Sequence, residues 1–210
     1  MSTPTKWDEW DTYMWVVAHP DDAEFSSAGT IARLTNLGKK VVIVQVTSGD
    51  KGTPDQSIPS DQLASGREIE EKNAADVLGV SDVVSPRCTD GELVPDLALR
   101  EKVVRQIRRF KPDVVVSHDP YRPYALHPDH RACGFAAIDS VYPTARDPHY
   151  FPEHLADGLE PHKTAEIWFF NAEQPADMAV LYSPPPGSPF KIKKPEGNSP
   201  TIITTTNRYC

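Results

Sequence analysis

The sequence predicts an α/β domain of Rossmann-like, three-layer αβα architecture on a mostly parallel five-stranded sheet, and two observations carry that prediction. Short β-branched runs alternate along the chain with longer stretches of helical period, the pattern of successive βαβ units. The runs "VVIVQV" and "DVVVSH" are nearly continuous in Val and Ile, as expected of strands covered on both faces. With 210 residues, 39% hydrophobic and 25% charged, the chain is long enough for one domain with a sizeable core.

The first strand is read at Tyr13–Ala18, in the apolar run that ends at His19. After it, "SSAGTIARLTNLG" sets Ala28, Ile31 and Leu34 at helical spacing and stops at Gly38, a residue that tolerates the left-handed conformation at helix ends. A second strand spans Lys40–Thr47, and "SDQLASGREIEEKNAADVLG" forms a second helix that ends at Gly79. A weak third strand lies near Asp82–Ser85. The third helix begins at Asp96, an N-cap, aligns Leu99, Val103, Val104, Ile107 and Phe110, and is broken at Pro112. A fourth strand at Asp113–His118, a fourth helix from about Pro128 to Tyr142 and a fifth strand at Ala165–Asn171 complete the order, with no internal repeat. From about Pro175 the composition changes, and "SPPPGSPFKIKKPEGNSP" is rich in Pro and Lys. Residues 1–175 are therefore read as the domain and 176–210 as an irregular C-terminal tail, whose last stretch "TIITTTNRYC" is either an edge strand or nothing ordered.

A formal net charge of -8 argues against a nucleic-acid partner, which needs a basic face, and directs attention to a small molecule. Cys88, Cys133 and Cys210 are odd in number and form no CxxC pattern, so neither a disulfide framework nor a thiolate metal site is expected. The segment Met1–Asp11 lacks the apolar core of a signal peptide, and no stretch approaches the roughly 18 apolar residues of a membrane span. A cytoplasmic protein without membrane contact is expected. Trp7, Trp10 and Trp15 are read as core residues or as contacts in a homo-oligomer, and "TSGDKGT" lacks the spacing of a phosphate-binding loop.

Chemistry concentrates in two short motifs. "HPDDAE" follows the first strand from His19, and "HPDH" spans His127 to His130 after the fourth. In an open doubly wound sheet the ligand crevice lies beyond the carboxyl ends of the strands, where the strand order reverses, so the topology brings these motifs together. Four carboxylates and three imidazoles meeting in one crevice would repel or lie unsatisfied without a cation among them. Histidine and aspartate donors without thiolate suit catalytic Zn²⁺, although Fe²⁺, Mn²⁺ or Co²⁺ would accept the same atoms. Asp21 and Asp22 point in different directions on a turn, so one can bind metal while the other takes a proton. His127 and His130 lie on one face of a first helical turn, and spacing does not say which is the ligand. Taken singly, each motif also reads as a helix start, with Asp22 or Ser26 capping one helix and Pro128 opening another. Their pairing on neighbouring strands favours the metal site. His118, at the end of the fourth strand, is within reach of the crevice and is expected to play a structural or supporting part, and His149, His154 and His162 are placed in a surface loop, a candidate to overhang the site, without a ligand role.

"AHPDDAE" followed by "HPDH" resembles the zinc-dependent N-deacetylases of the PIG-L/LmbE-like family, which remove acetyl from N-acetylglucosamine-type sugars or related amides. The resemblance runs from about Tyr13 to Glu173 and takes in "TSGDKGT", "REIEEKNAADVLGV", "DGEL" and "EIWFF". It implies a hydrolase in which His19, Asp22 and His130 bind Zn²⁺, Asp21 is the general base and His127 faces the substrate carbonyl as acid or oxyanion stabiliser. It further implies that Asp129 orients His127 and tunes its pKa, and that Arg67 and Asp90 contact the sugar. Two other readings share the motifs: a zinc amidase acting on a thiol conjugate or another acylated amine, and an inactive homologue that keeps its metal.

Overall fold

The computed structural model describes residues 9–123 and 126–171, together with the backbone of 178–179 and 203–204. Five parallel strands, β1 (Thr12–Val17), β2 (Lys40–Gln45), β3 (Asp82–Val84), β4 (Val114–His118) and β5 (Glu166–Phe170), form one sheet in the order β3-β2-β1-β4-β5. The expected first strand is offset from β1 by one residue, and the other four run one or two residues longer than these ladders. Part of that excess is real pairing beyond the regular register, since the Val46 and Thr47 amides still donate to the carbonyls of Val17 and Ala18.

Successive strand residues face opposite layers, and each layer closes with its own helices. Met14 and Val16 of β1 join Val42 and Val44 of β2 on one face, covered by Leu99, Val103, Val104 and Ile107 of α3 (Leu97–Phe110) and Cys133, Ala136 and Ala137 of α4 (Pro128–Val141). Tyr13, Trp15 and Val17 point the other way with Val41 and Ile43, under Ala23, Ile31 and Leu34 of α1 (Asp22–Asn36). α2 (Ser60–Leu78) lies beside α1 and adds Leu78 to the edge of that second cluster. The expected helix signals are in place: the Asp96 carboxylate accepts the Leu99 amide at 2.9 Å, and Gly38 and Gly79 take φ of 76° and 75°. Trp15 is core and Trp10 packs at its margin, while Trp7 lies outside the described residues.

The segment between α4 and β5, expected as a surface loop, is tied down from within. Arg108 is 1% exposed, and its guanidinium donates to the carbonyls of Thr144, Ala145, Asp147, Tyr150 and Phe151. His154 is fully buried against it, with its other ring nitrogen 2.8 Å from Glu101. His149 alone of the three histidines there is a plain surface residue, since His162 contacts the Pro112 carbonyl. β6 (Met178–Ala179) and β7 (Ile203–Thr204) pair antiparallel, and the remainder of the expected tail lies outside the described residues. Among the described residues no helix is long and apolar enough to cross a membrane.

Candidate metal centre

β1 and β4 are adjacent and parallel, and the helices that follow them lie on opposite faces, so the reversal point falls between their carboxyl ends. His19 follows β1, His118 closes β4, and α4 starts at Pro128 with His127 as its N-cap. Asp22 is the first residue of α1, where a carboxylate is favoured by the unpaired amides and the helix dipole. Its Oδ2 accepts the His19 main-chain amide at 2.8 Å, which folds the side chain back towards the strand end.

Three donor sets meet there. His19 Nδ1 and His130 Nε2 are 3.2 Å apart, His130 Nε2 and Asp22 Oδ1 3.2 Å, and His19 Nδ1 and Asp22 Oδ2 3.4 Å. Ligands about 2.0–2.2 Å from a tetrahedral divalent ion stand roughly 3.3–3.5 Å from one another, the spacing of these contacts, in which Asp22 turns Oδ1 to His130 and Oδ2 to His19. The residues present therefore suit the metal that the sequence motifs anticipate. Electrostatics agree. Burial works against charge on both groups, but contacts with His118, His130 and His19 hold Asp22 well below the usual carboxylate range. Burial likewise pulls His19 down, and Asp22, Asp129 and Asp90 outweigh it to raise the imidazole to about 9.

The far nitrogen of His19 shows what orients the ring. Nε2 lies 3.1 Å from Asp129 Oδ2 and 3.1 Å from Asp90 Oδ1, so its N–H points at carboxylates and Nδ1 faces Asp22 and His130. A carboxylate on the second nitrogen is the usual device for fixing a metal-binding histidine. Asp129 is fully buried and also accepts the amides of Gly91 at 2.7 Å and Leu93 at 3.1 Å. It was expected to orient His127. Its carboxylate bonds His19 and the loop after β3, its main-chain amide donates to His127 Nδ1 at 3.3 Å, and its charge works to raise the His127 pKa. The reason is geometric: as the second residue of α4, Asp129 turns inward while the N-cap His127 stays outside. Asp90, expected on the sugar, stands on His19 in the same way.

His118 reaches the crevice and contacts Asp22. It is 6% exposed, its Nε2 lies 3.3 Å from Asp22 Oδ2, and it stacks on His130 with ring centroids 4.2 Å apart. The same Nε2 lies 3.3 Å from the Ala18 main-chain nitrogen. Burial, above all, lowers its pKa. The signal for it was present, since it is the last residue of the strand beside the crevice. His127 is the exposed imidazole of the group, 4.5 Å from His19 between centroids, and burial and the neighbouring histidines lower its pKa.

Asp21 stands apart from these donors. Its backbone has φ 87°, a left-handed conformation unusual for a residue with a side chain, and its Oδ2 accepts Arg67 Nη2 at 2.9 Å. The same Arg67 nitrogen donates to the Pro20 carbonyl at 3.2 Å, and Nη1 binds Glu70. Arg67, expected on the sugar, is thus engaged with the "HPDD" turn. Beside it lies a cavity of about 120 Å³ lined by Pro20, Asp21, Glu24, Arg67, Glu70, Glu71 and Ala74. Among the described residues no other residue hydrogen-bonds either oxygen of Glu24, and Glu71, raised to about 7 by burial and then by Glu24, meets only the Asp21 amide.

The chain is similar to several known proteins. The diacetylchitobiose deacetylase of Thermococcus kodakarensis is 37% identical over 157 residues, 75% of this chain and 58% of the relative. The mycothiol S-conjugate amidase of Streptomyces coelicolor is 32% identical over 142 residues, 56% of this chain and 47% of the relative. The solved structure of N,N'-diacetylchitobiose deacetylase from Pyrococcus horikoshii superposes with a TM-score of 0.78 at 33% identity, covering 81% of this chain and 64% of that one. The chain spans less than two thirds of the length of each of these proteins. The family described as GlcNAc-PI de-N-acetylase matches residues 14–141, which hold both motifs and the strands that join them, and the chain belongs to this PIG-L family.

Proposed function

We propose that the chain is a zinc-dependent N-deacetylase that hydrolyses the acetamido group of an N-acetylglucosamine-type sugar or glycoside. The observation that carries this reading is the triangle of His19 Nδ1, Asp22 and His130 Nε2 at 3.2–3.4 Å, beside a carboxylate, Asp21, that takes no part in it. The kinship with deacetylases acting on diacetylchitobiose supports the substrate class. Zn²⁺ held by His19, Asp22 and His130 would polarise the amide carbonyl and make water a nucleophile near neutral pH. Asp21 accepts the proton of the attacking water and returns it to the departing amine, so the products are acetate and a free amino sugar. His127, exposed and largely neutral at pH 7, presents an N–H to the carbonyl oxygen as negative charge develops there. Loss of such a donor costs roughly 2.7–4 kcal/mol of barrier. Arg67 and Asp90 offer a cation and an anion to the sugar hydroxyls, and Asp129 keeps the His19 ring in place.

The test is to strip the protein with chelator, reload it with Zn²⁺ and measure amine release from N,N'-diacetylchitobiose and N-acetylglucosaminides. One tightly held zinc per chain and zinc-dependent amine release are expected. The kinship with the mycothiol amidase favours a second reading, a zinc amidase acting on a thiol conjugate. Cleavage of acylated thiol conjugates in preference to amino sugars would select it. Zinc uptake without turnover on either panel would leave an inactive metal-binding homologue.

A further inference from the structure

We propose that Glu71 is a positioning residue for this reaction, its carboxylate accepting the Asp21 main-chain N–H and so fixing the turn that sends the Asp21 and Asp22 side chains in different directions. The proposal rests on the reading of Asp21 as the base. At φ 87° and ψ -19° Asp21 occupies a region that residues with a Cβ enter only when their surroundings impose it. The turn's own bonds run from the Asp22 amide to the His19 carbonyl at 3.4 Å and from the Phe25 amide to the Asp21 carbonyl at 2.9 Å, which leaves the Asp21 amide for another element to hold. Two residues four apart on α2, and hence on one face, do so. Arg67 binds the Pro20 carbonyl and the Asp21 carboxylate, and Glu71 Oε2 takes the Asp21 amide at 3.2 Å.

Glu71 is only 3% exposed, yet among the described residues its Oε1 has no hydrogen-bond partner, and the Glu24 carboxylate lines the same cavity. A residue that merely filled space between two helices would be apolar, because burial of an unmet carboxylate oxygen is costly. The acceptor role towards Asp21 accounts for a carboxylate at this depth. Asp22 does not depend on that contact, being held by the His19 amide, His118 and His130. Loss of the Glu71 acceptor should therefore disturb the base and spare the metal.

The experiment compares the zinc-loaded full chain with Glu71→Gln, which keeps an oxygen acceptor, and Glu71→Met, which keeps the volume without one. Hydrogen exchange of the Asp21 amide, metal content, kcat and KM are read on each. Glu71→Gln should retain amide protection and keep kcat within about threefold of the parent. Glu71→Met should lose that protection and up to roughly 100-fold in kcat, with KM and metal content unchanged. If Glu71→Met does not fold, Glu71→Asp, which withdraws the oxygen from reach, should show the same pattern. An Asp21 amide as protected in Glu71→Met or Glu71→Asp as in the parent overturns the proposal, as does a fall in kcat that Gln fails to rescue. A parent protein inactive on every amide would overturn the deacetylase reading instead, and amide exchange would still decide whether Glu71 holds the turn.

Discussion

Asp21 and Asp22 are adjacent and chemically identical, and one left-handed backbone angle separates their surroundings. Asp22 lies among three imidazoles, whereas Asp21 lies on a guanidinium. Asp22→Ala should therefore abolish metal retention, and Asp21→Ala should retain the metal while abolishing turnover. Elemental analysis beside an amine-release assay separates the two, and the opposite pattern would reverse the assignment. His118 invites a similar test, because its contact with Asp22 Oδ2 steadies a ligand without help from the "HPDH" motif. His118→Ala should weaken metal binding about 10- to 100-fold, measured by competition with a chromogenic chelator. Unchanged affinity would reduce His118 to packing.

The elements matter because they bring these side chains to one place at close range. α4 crosses the end of β4 at Gly134, where a Cβ would lie 2.7 Å from the His118 carbonyl and 3.0 Å from Pro120. That approach sets the "HPDH" turn beside His118. Gly134→Ala should destabilise the fold by about 1–3 kcal/mol in urea unfolding, since neither the strand end nor the proline can yield cheaply. A variant with the parent's midpoint would show that the helix can shift outward at little cost. Elements were largely legible in the sequence: Asp96, Gly38 and Gly79 marked helix ends through local backbone chemistry, and runs of Val marked buried strands. The loop around Arg108 was not legible. Its order comes from one buried guanidinium satisfying five carbonyls, a convergence that no local pattern announces.

At the scale of the whole molecule, an acidic chain collects carboxylates around one imidazole and thereby couples metal binding to pH. With His19 raised to about 9, the ring carries a proton on Nδ1 at pH 7 that a metal ion must displace. Metal affinity should thus rise with pH towards about 9 and fall as the solution is acidified. Calorimetric titration with Zn²⁺ at pH 7 in buffers of different ionisation enthalpy should show release of about one proton per site from the protein. Uptake with no proton release would mean that His19 is neutral before the metal arrives.

The order of strands and helices, the two buried faces of the sheet and the meeting of "HPDD" with "HPDH" at the β1–β4 reversal were determined by the sequence alone. Periodicity, helix caps and topology act through near neighbours or through rules common to all such sheets. Only the tertiary structure decided that the Asp129 carboxylate bonds His19, that His118 meets Asp22, and that Arg67 and Glu71 grip the turn at Asp21. Those choices depend on which atom of a side chain meets an atom some 50 to 110 residues away. Packing between layers sets that distance, and no stretch of sequence carries it.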